Sequence, residues 1–187
     1  MPNRVLPFSF SALVFCLAVA ACGSKGTGFG SINGTIAGAS FNLKDAIYTL
    51  DPNKDVYQII LASYSNLCAQ AATAASAVVP ADLIVIGLET GNKTVPTAGA
   101  YTVPDFAANI YPASNIALVV VEENGTESMV TSGHVNITKT PSSATDSLGL
   151  SLDLKFKDGS HVTGSVMAGY CGSLLTASAN TSVSPTH

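Results

Sequence analysis

Two histidines and one aspartate are the residues of this chain whose types could bind a metal ion. His134, Asp153 and His161 each occupy a polar position of an alternating strand pattern, so their side chains should point to the outer face of a sheet. Imidazole and carboxylate groups are common zinc ligands. Lys155 lies beside them and would repel a cation. The residues therefore predict a solvated polar cluster, with a metal site as the weaker alternative.

The strands around this cluster set its geometry. Residues 148–156 alternate leucines with small or polar residues, and residues 162–170 alternate in the same way. A two-residue turn between them would place the two apolar faces on opposite sides of the sheet. A three-residue loop over 157–159, with Gly159 in a left-handed conformation, pairs Leu154 with Val162 and keeps those faces together. We predict the three-residue loop.

The strand pattern before this hairpin covers residues 128–138. Its apolar positions, Met129, Val135 and Ile137, should face inward, so His134 should face outward. Pairing of this strand with residues 148–156 would bring His134 close to Asp153.

Four cysteines fall into two groups. Cys16 and Cys22 lie near the N-terminus, whereas Cys68 and Cys171 lie in the body of the chain. An even pair in an exported protein predicts a disulfide between Cys68 and Cys171, which would close a loop of about 100 residues. A redox or metal thiol is disfavoured because there is no CxxC motif and no neighbouring histidine.

Other patterns favour ordinary structure over chemistry. The segment 51–55 has the D-x-N-x-D spacing of a calcium loop, but Val56 and Ala62 stand where such loops carry Gly and Glu, so a hairpin turn is expected. The chain has no G-x-S-x-G, S-x-x-K or H-E-x-x-H motif. We find no catalytic residues and predict that the protein is not an enzyme and needs no cofactor.

Six tyrosines could contact a glycan or peptide. Tyr101 and Tyr111 lie in or near predicted loops and are the best candidates for exposure, while the others are expected at core edges.

Short strand patterns separated by Gly, Pro, Asn and Asp recur along the chain. They predict an all-β fold: an antiparallel meander of about eight to ten strands, closed as a sandwich or barrel, with one short helix near 65–76. Residues 82–89 and 116–121 are nearly continuous apolar runs, which predict strands covered on both faces. Asn124-Gly125 is a strong hairpin signal.

The N-terminus has the layout of an export signal, with Arg4 before an apolar run that ends in small residues. Residues 19–22, Val-Ala-Ala-Cys, resemble the lipobox of bacterial lipoproteins. The resemblance implies a signal peptide over 1–21, cleavage before Cys22 and lipid on the Cys22 sulfur. A membrane anchor of this kind, with Gly23 next, implies the cell envelope and favours the outer membrane, on a side that the sequence leaves open.

The rest of the chain divides into a tether over 22–28, a β domain over 29–172 and a Ser/Thr-rich tail over 173–187. Three stretches of the β domain resemble a group of small, uncharacterised Gram-negative lipoproteins, from which no activity carries over. The stretches are residues 30–36 (GSINGTI), residues 44–46 (KDA), and the end of the domain with residues 156–159 (FKDG), 164–166 (GSV) and 170–171 (YC).

Charge narrows the classes of partner. Removal of residues 1–21 would leave seven of the eight basic residues and all twelve acidic ones, so nucleic acid is an unfavourable partner. We expect a non-enzymatic structural or binding module of the envelope, whose partner is a protein, a glycan or an apolar ligand. The alternatives are a lipocalin-like carrier with an apolar ligand in a hollow barrel and, less favoured, a metal-dependent enzyme.

Overall fold

The structure is a computed structural model that describes residues 29–51, 55–73, 82–105, 114–123, 126–143 and 146–173. It contains eleven strands and one helix within these ranges. In chain order they are β1 (Phe29–Ile36), β2 (Ala39–Ser40), β3 (Asp45–Asp51), β4 (Val56–Ala62), α1 (Leu67–Thr73), β5 (Leu83–Glu89), β6 (Gly99–Thr102), β7 (Ile116–Glu123), β8 (Thr126–Ser128), β9 (Val130–Lys139), β10 (Leu148–Phe156) and β11 (His161–Tyr170). The predicted all-β class with one short helix is confirmed.

Eight strands close into a barrel. The order around it is β10-β9-β6-β7-β5-β4-β3-β11, and β11 pairs with β10 to complete the circle. The sheet is therefore a barrel and not a sandwich. The remaining strands are attached to this circle: β1 pairs with β11, β2 with the end of β1, and β8 with β7.

Two pairings depart from a simple antiparallel meander. Strand β6 lies between β7 and β9, and it is parallel to β7. Strand β3 is parallel to β11 and meets it through only two residue pairs, Ile47 with Gly169 and Tyr48 with Tyr170. We call this short contact the β3–β11 seam. All the other strand pairs in the described ranges are antiparallel.

Inward-facing side chains fill the barrel. Alternate residues of each strand point inside, and they form one continuous buried cluster, which an eight-stranded barrel is wide enough to hold. The largest fully buried members include two tyrosines and many branched aliphatic residues: Tyr48, Tyr101, Ile36, Ile59, Leu61, Ile84, Ile86, Leu88, Leu148, Leu150 and Leu154.

Hydrogen bonds of the tyrosine hydroxyls fix the positions of two of these rings. The Tyr48 hydroxyl donates to the carbonyl oxygen of Asp146 at 2.6 Å. The Tyr101 hydroxyl donates to the carbonyl oxygen of Thr97 and accepts from the Thr97 N–H, both at 2.9 Å. Burial, together with the nearby Tyr57 and Tyr170, raises the pKa of Tyr48 to about 12, so this ring remains a neutral donor at physiological pH.

The outer surface of the barrel differs from one wall to another. Helix α1 lies against β3 and covers a second apolar cluster that contains Ile47, Ile60 and Leu67. On the neighbouring wall, Leu118 and Val120 of β7 are 40% and 39% exposed. The prediction that residues 116–121 are covered on both faces is therefore wrong, because the outer face of this strand is open to solvent.

Glycine at position 164 allows a close approach between two strands. Its φ angle is +155°, and a Cβ atom placed there would lie 2.2 Å from the Ser31 carbonyl oxygen and 2.8 Å from the Ile32 Cα atom. Both contacts are with backbone, so a larger residue would push β1 away from β11.

In the described ranges, no helix is both long and apolar enough to cross a membrane.

Candidate functional site

The β10–β11 hairpin has the predicted register. Leu154 pairs with Val162, and Lys155 pairs with His161, across a loop of residues 157–159 followed by Ser160. Gly159 has a φ of +86°, and its N–H donates to the carbonyl oxygen of Phe156 at 3.1 Å. The choice of a three-residue loop with a left-handed glycine is confirmed.

This register and the pairing of β9 with β10 bring the three candidate residues to one outer face. Asp153 lies directly opposite His134. His161 Nε2 lies 2.9 Å from Asp153 Oδ1, and its N–H donates to that carboxylate. The hydrogen bond from His161 is the largest cause that lowers the pKa of Asp153, and the charges of His161, His134 and Lys155 add to it.

The cluster has the geometry of an ion pair beside a second histidine. The side chains of His161 and Asp153 are 49% and 39% exposed, so solvent screens their interaction. Across the residues that the structure describes, no group of three His, Cys, Asp or Glu side chains is placed to hold a metal ion. The geometry therefore gives the metal alternative no support.

A β-bulge interrupts β9 next to this cluster. Ser132 pairs with Lys155, but the next pair is Val130 with Phe156, so Thr131 is an extra residue. Its hydroxyl donates to the carbonyl oxygen of Lys155 at 3.2 Å. The bulge reverses which residues face inward: Val130 is buried and Met129 is 54% exposed. The prediction that Met129 faces the core is wrong for this reason, whereas Val135 and Ile137 are buried as predicted.

A surface concavity lies where the bulge meets the hairpin loop. It has a volume of about 420 Å³ and is open to solvent. We call it the hairpin pocket. Its lining residues are Thr131, Ser132, Lys155, Phe156, Gly159, Ser160 and His161. The sequence pattern identified His161 alone as a site residue, because the pocket depends on a bulge that alternation of residue types does not reveal.

The loop beneath the hairpin pocket is held by a carboxylate. Asp158 Oδ1 accepts from the Ser160 N–H at 2.9 Å, and Asp158 Oδ2 accepts from the Ser160 hydroxyl at 2.9 Å. These bonds lower the pKa of Asp158. The Ser160 oxygen also accepts from the Gly38 N–H at 3.3 Å. The loop that lines the pocket is therefore held by hydrogen bonds to Asp158 and to the Gly38 backbone.

Cys68 and Cys171 are joined by a disulfide, with their Cα atoms 5.7 Å apart. Cys171 immediately follows β11, and its N–H donates to the Tyr48 carbonyl oxygen at 2.8 Å, so the bond lies beside the β3–β11 seam. Cys68 lies in α1. The disulfide thus attaches the helix to the wall of the barrel beside a short strand contact.

A buried aspartate that sequence reasoning missed fixes the start of α1. Asp45 is only 6% exposed, and its carboxylate accepts from the Leu67 N–H at 2.9 Å and from the Ala46 N–H at 2.8 Å. It therefore caps the helix from a distant strand. No local signal could have revealed this, because the cap is 22 positions away in the chain.

The other sequence candidates have mixed outcomes. Tyr101 is 1% exposed, so its predicted exposure is wrong, since its ring enters the barrel core. Tyr111 and the lipidation candidate Cys22 lie outside the described residues. Asp51 pairs with Val56 in a β3–β4 hairpin, and positions 52–54 of the calcium-loop pattern also lie outside the described residues.

Fold and site together define a filled, closed β-barrel with a helix attached by a disulfide and a polar pocket on its outer wall. No protein-family model, no curated protein and no solved structure matches this chain.

Proposed function

We propose that this protein is a lipid-anchored lipoprotein of the bacterial envelope that acts as a non-enzymatic binding module. The observation that carries the binding role is the filled barrel interior. Because side chains occupy the inside, a ligand or partner has to be recognised on the outer wall. The lipocalin-like alternative needs a lined hollow, and the continuous core cluster gives it no support.

The anchor is supported by the lipobox at residues 19–22 and by the disulfide. A buried disulfide is typical of proteins that fold in an oxidising compartment outside the cytoplasm. Three acyl chains on Cys22 would exceed the two membrane signals needed for stable anchoring. The outer membrane is the proposed location because Gly23, and not Asp, follows the cysteine.

The position of β1 relates the anchor to the hairpin pocket. Phe29 lies opposite Met167, six positions along β11 from His161, which is about 20 Å along the strand. Strand β1 therefore begins at the opposite end of this wall from the pocket.

The test of the anchor compares two cysteine variants in cells fed a radiolabelled fatty acid. We expect Cys22→Ser to lose the label and to leave the detergent-rich fraction, because its oxygen replaces the sulfur that carries lipid. Cys16→Ser is the matched control, since it makes the same change within the signal, and it should keep label and fractionation. Labelling of the Cys22→Ser protein at the wild-type level would reject the lipoprotein proposal.

A further inference from the structure

The hairpin pocket combines a cation, a histidine and hydroxyl groups in one row. Ser132 of β9 pairs with Lys155 of β10, which in turn pairs with His161 of β11. Adjacent strands lie about 4.8 Å apart, so these three side chains stand next to each other on the outer face. All three are exposed. The row therefore presents hydrogen-bond donors and positive charge to the same concavity.

The ammonium of Lys155 is available to a ligand. Within the described ranges, no carboxylate lies within ion-pair distance of Lys155. The two carboxylates of the hairpin are already engaged by hydrogen bonds, since Asp153 accepts from His161 and Asp158 accepts from Ser160, while the charge of Lys155 also lowers the pKa of Asp153. Lys155 therefore forms no ion pair within the described ranges.

The bulge and the loop give the pocket its shape. Thr131 is displaced from the strand alternation and joins Ser132 in the lining. Bulges of this kind occur at barrel rims and re-aim side chains next to binding sites.

We propose that the hairpin pocket binds a small ligand through an anionic oxygen group, a carboxylate or a phosphate, with Lys155 as the cationic partner and the Ser132 hydroxyl as a further donor. Lysine donates three N–H bonds to such oxygens, and serine adds a hydroxyl donor. A cationic ligand is disfavoured because Lys155 would repel it. This inference rests on the proposed binding role and names its ligand class, but it does not depend on the lipid anchor.

The binding test uses the full mature chain, purified in detergent, with amide chemical shifts as the readout. Glucuronate and inorganic phosphate serve as the carboxylate and phosphate probes, and glucose is the neutral control. We expect saturable shifts at Ser132, Lys155, Gly159 and His161 with at least one anion and none with glucose. The preferred anion identifies the ligand class. No saturable shifts with either anion, or equal shifts with glucose, would overturn the proposal.

Two lysine variants test the contact itself. We expect Lys155→Gln to weaken binding of the preferred anion about three- to tenfold, the range for a charge-assisted hydrogen bond at a partly exposed site. Lys139→Gln makes the same change at the far end of β9 and should leave affinity unchanged. Equal losses in both variants would mean that net charge and not the pocket attracts the anion.

Because fatty-acid labelling reads the anchor separately, failure of the anion-binding tests is distinguishable from failure of the lipoprotein proposal.

Discussion

Reduction of the Cys68–Cys171 disulfide should destabilise the barrel strongly. The two cysteines are 103 positions apart, and for a loop of this length the chain-entropy relation gives about 4.7 kcal/mol of stabilisation at 25 °C. The cause is the smaller conformational freedom of the unfolded chain when it is cross-linked. For a domain of this size, such a loss lowers the melting temperature by roughly 10–20 °C.

The comparison of oxidised and reduced wild-type protein isolates this effect, because the side chains in the folded core are nearly the same in both. Urea unfolding followed by tyrosine fluorescence gives the two free energies of unfolding, since the chain has no tryptophan. Cys68→Ala/Cys171→Ala is the control for the reductant, which should leave its stability unchanged.

Cys171 is fully buried and Cys68 is 9% exposed, so the reductant should act slowly on the folded protein. Reduction is therefore carried out in urea before refolding. If oxidised and reduced wild-type proteins unfold within about 1 kcal/mol of each other, the cross-link does not constrain the unfolded chain as argued.

Two further substitutions test the packing of the fold by thermal and urea unfolding. Gly164→Ala should lower the free energy of unfolding by about 3 kcal/mol or more, because its Cβ would meet the backbone of β1 at 2.2 Å. Gly99→Ala is the control, with a similar φ of +144° but open space around it, and should lower the free energy of unfolding by about 1–2 kcal/mol. Equal losses in the two variants would show that β1 moves freely. Asp45→Asn should lower the free energy of unfolding by about 1–3 kcal/mol, because the amide N–H₂ would face one of the two backbone N–H groups that the carboxylate now accepts from. Asp55→Asn in the β3–β4 turn is the control and should change the free energy of unfolding by no more than about 0.5 kcal/mol. If the stability of Asp45→Asn is unchanged, the carboxylate does not act as the helix cap.

The hairpin and its outer cluster could be predicted because their signals are local. Five alternating apolar residues in β10 define an inward face, and Asp158-Gly159 marks the turn, so only one loop length keeps that face continuous. The contact between Asp153 and His161 follows from this register. The ion pair was therefore accessible from the sequence.

The hairpin pocket could not be predicted because a bulge leaves no trace in residue type. Thr131 and Ser132 look like ordinary strand residues, and the extra residue is visible only once β9 is paired with β10. The same bulge turns the side chain of Met129 outward. A single extra residue reverses the inward and outward positions of the strand residues that precede it, so the alternation of residue types gives the wrong face there.

The order of the strands around the barrel could also not be predicted from the sequence. Strand β6 lies between β7 and β9, so the chain must cross over between residues 102 and 116. The length of this connection does not reveal on which side of β6 the chain places the next strand. The exposed positions of β7 show a related failure, since an apolar run predicts burial on both faces whether or not another element covers the strand.

The β3–β11 seam has a kinetic consequence. It joins positions 47 and 169, and in the described ranges β1 likewise pairs only with β11 and β2, so the circle cannot close until nearly the whole chain is present. Contacts between such remote positions form late and slowly, on the millisecond to second scale. Until then the early strands keep unpaired edges, so the incompletely folded chain is most prone to aggregation during this interval.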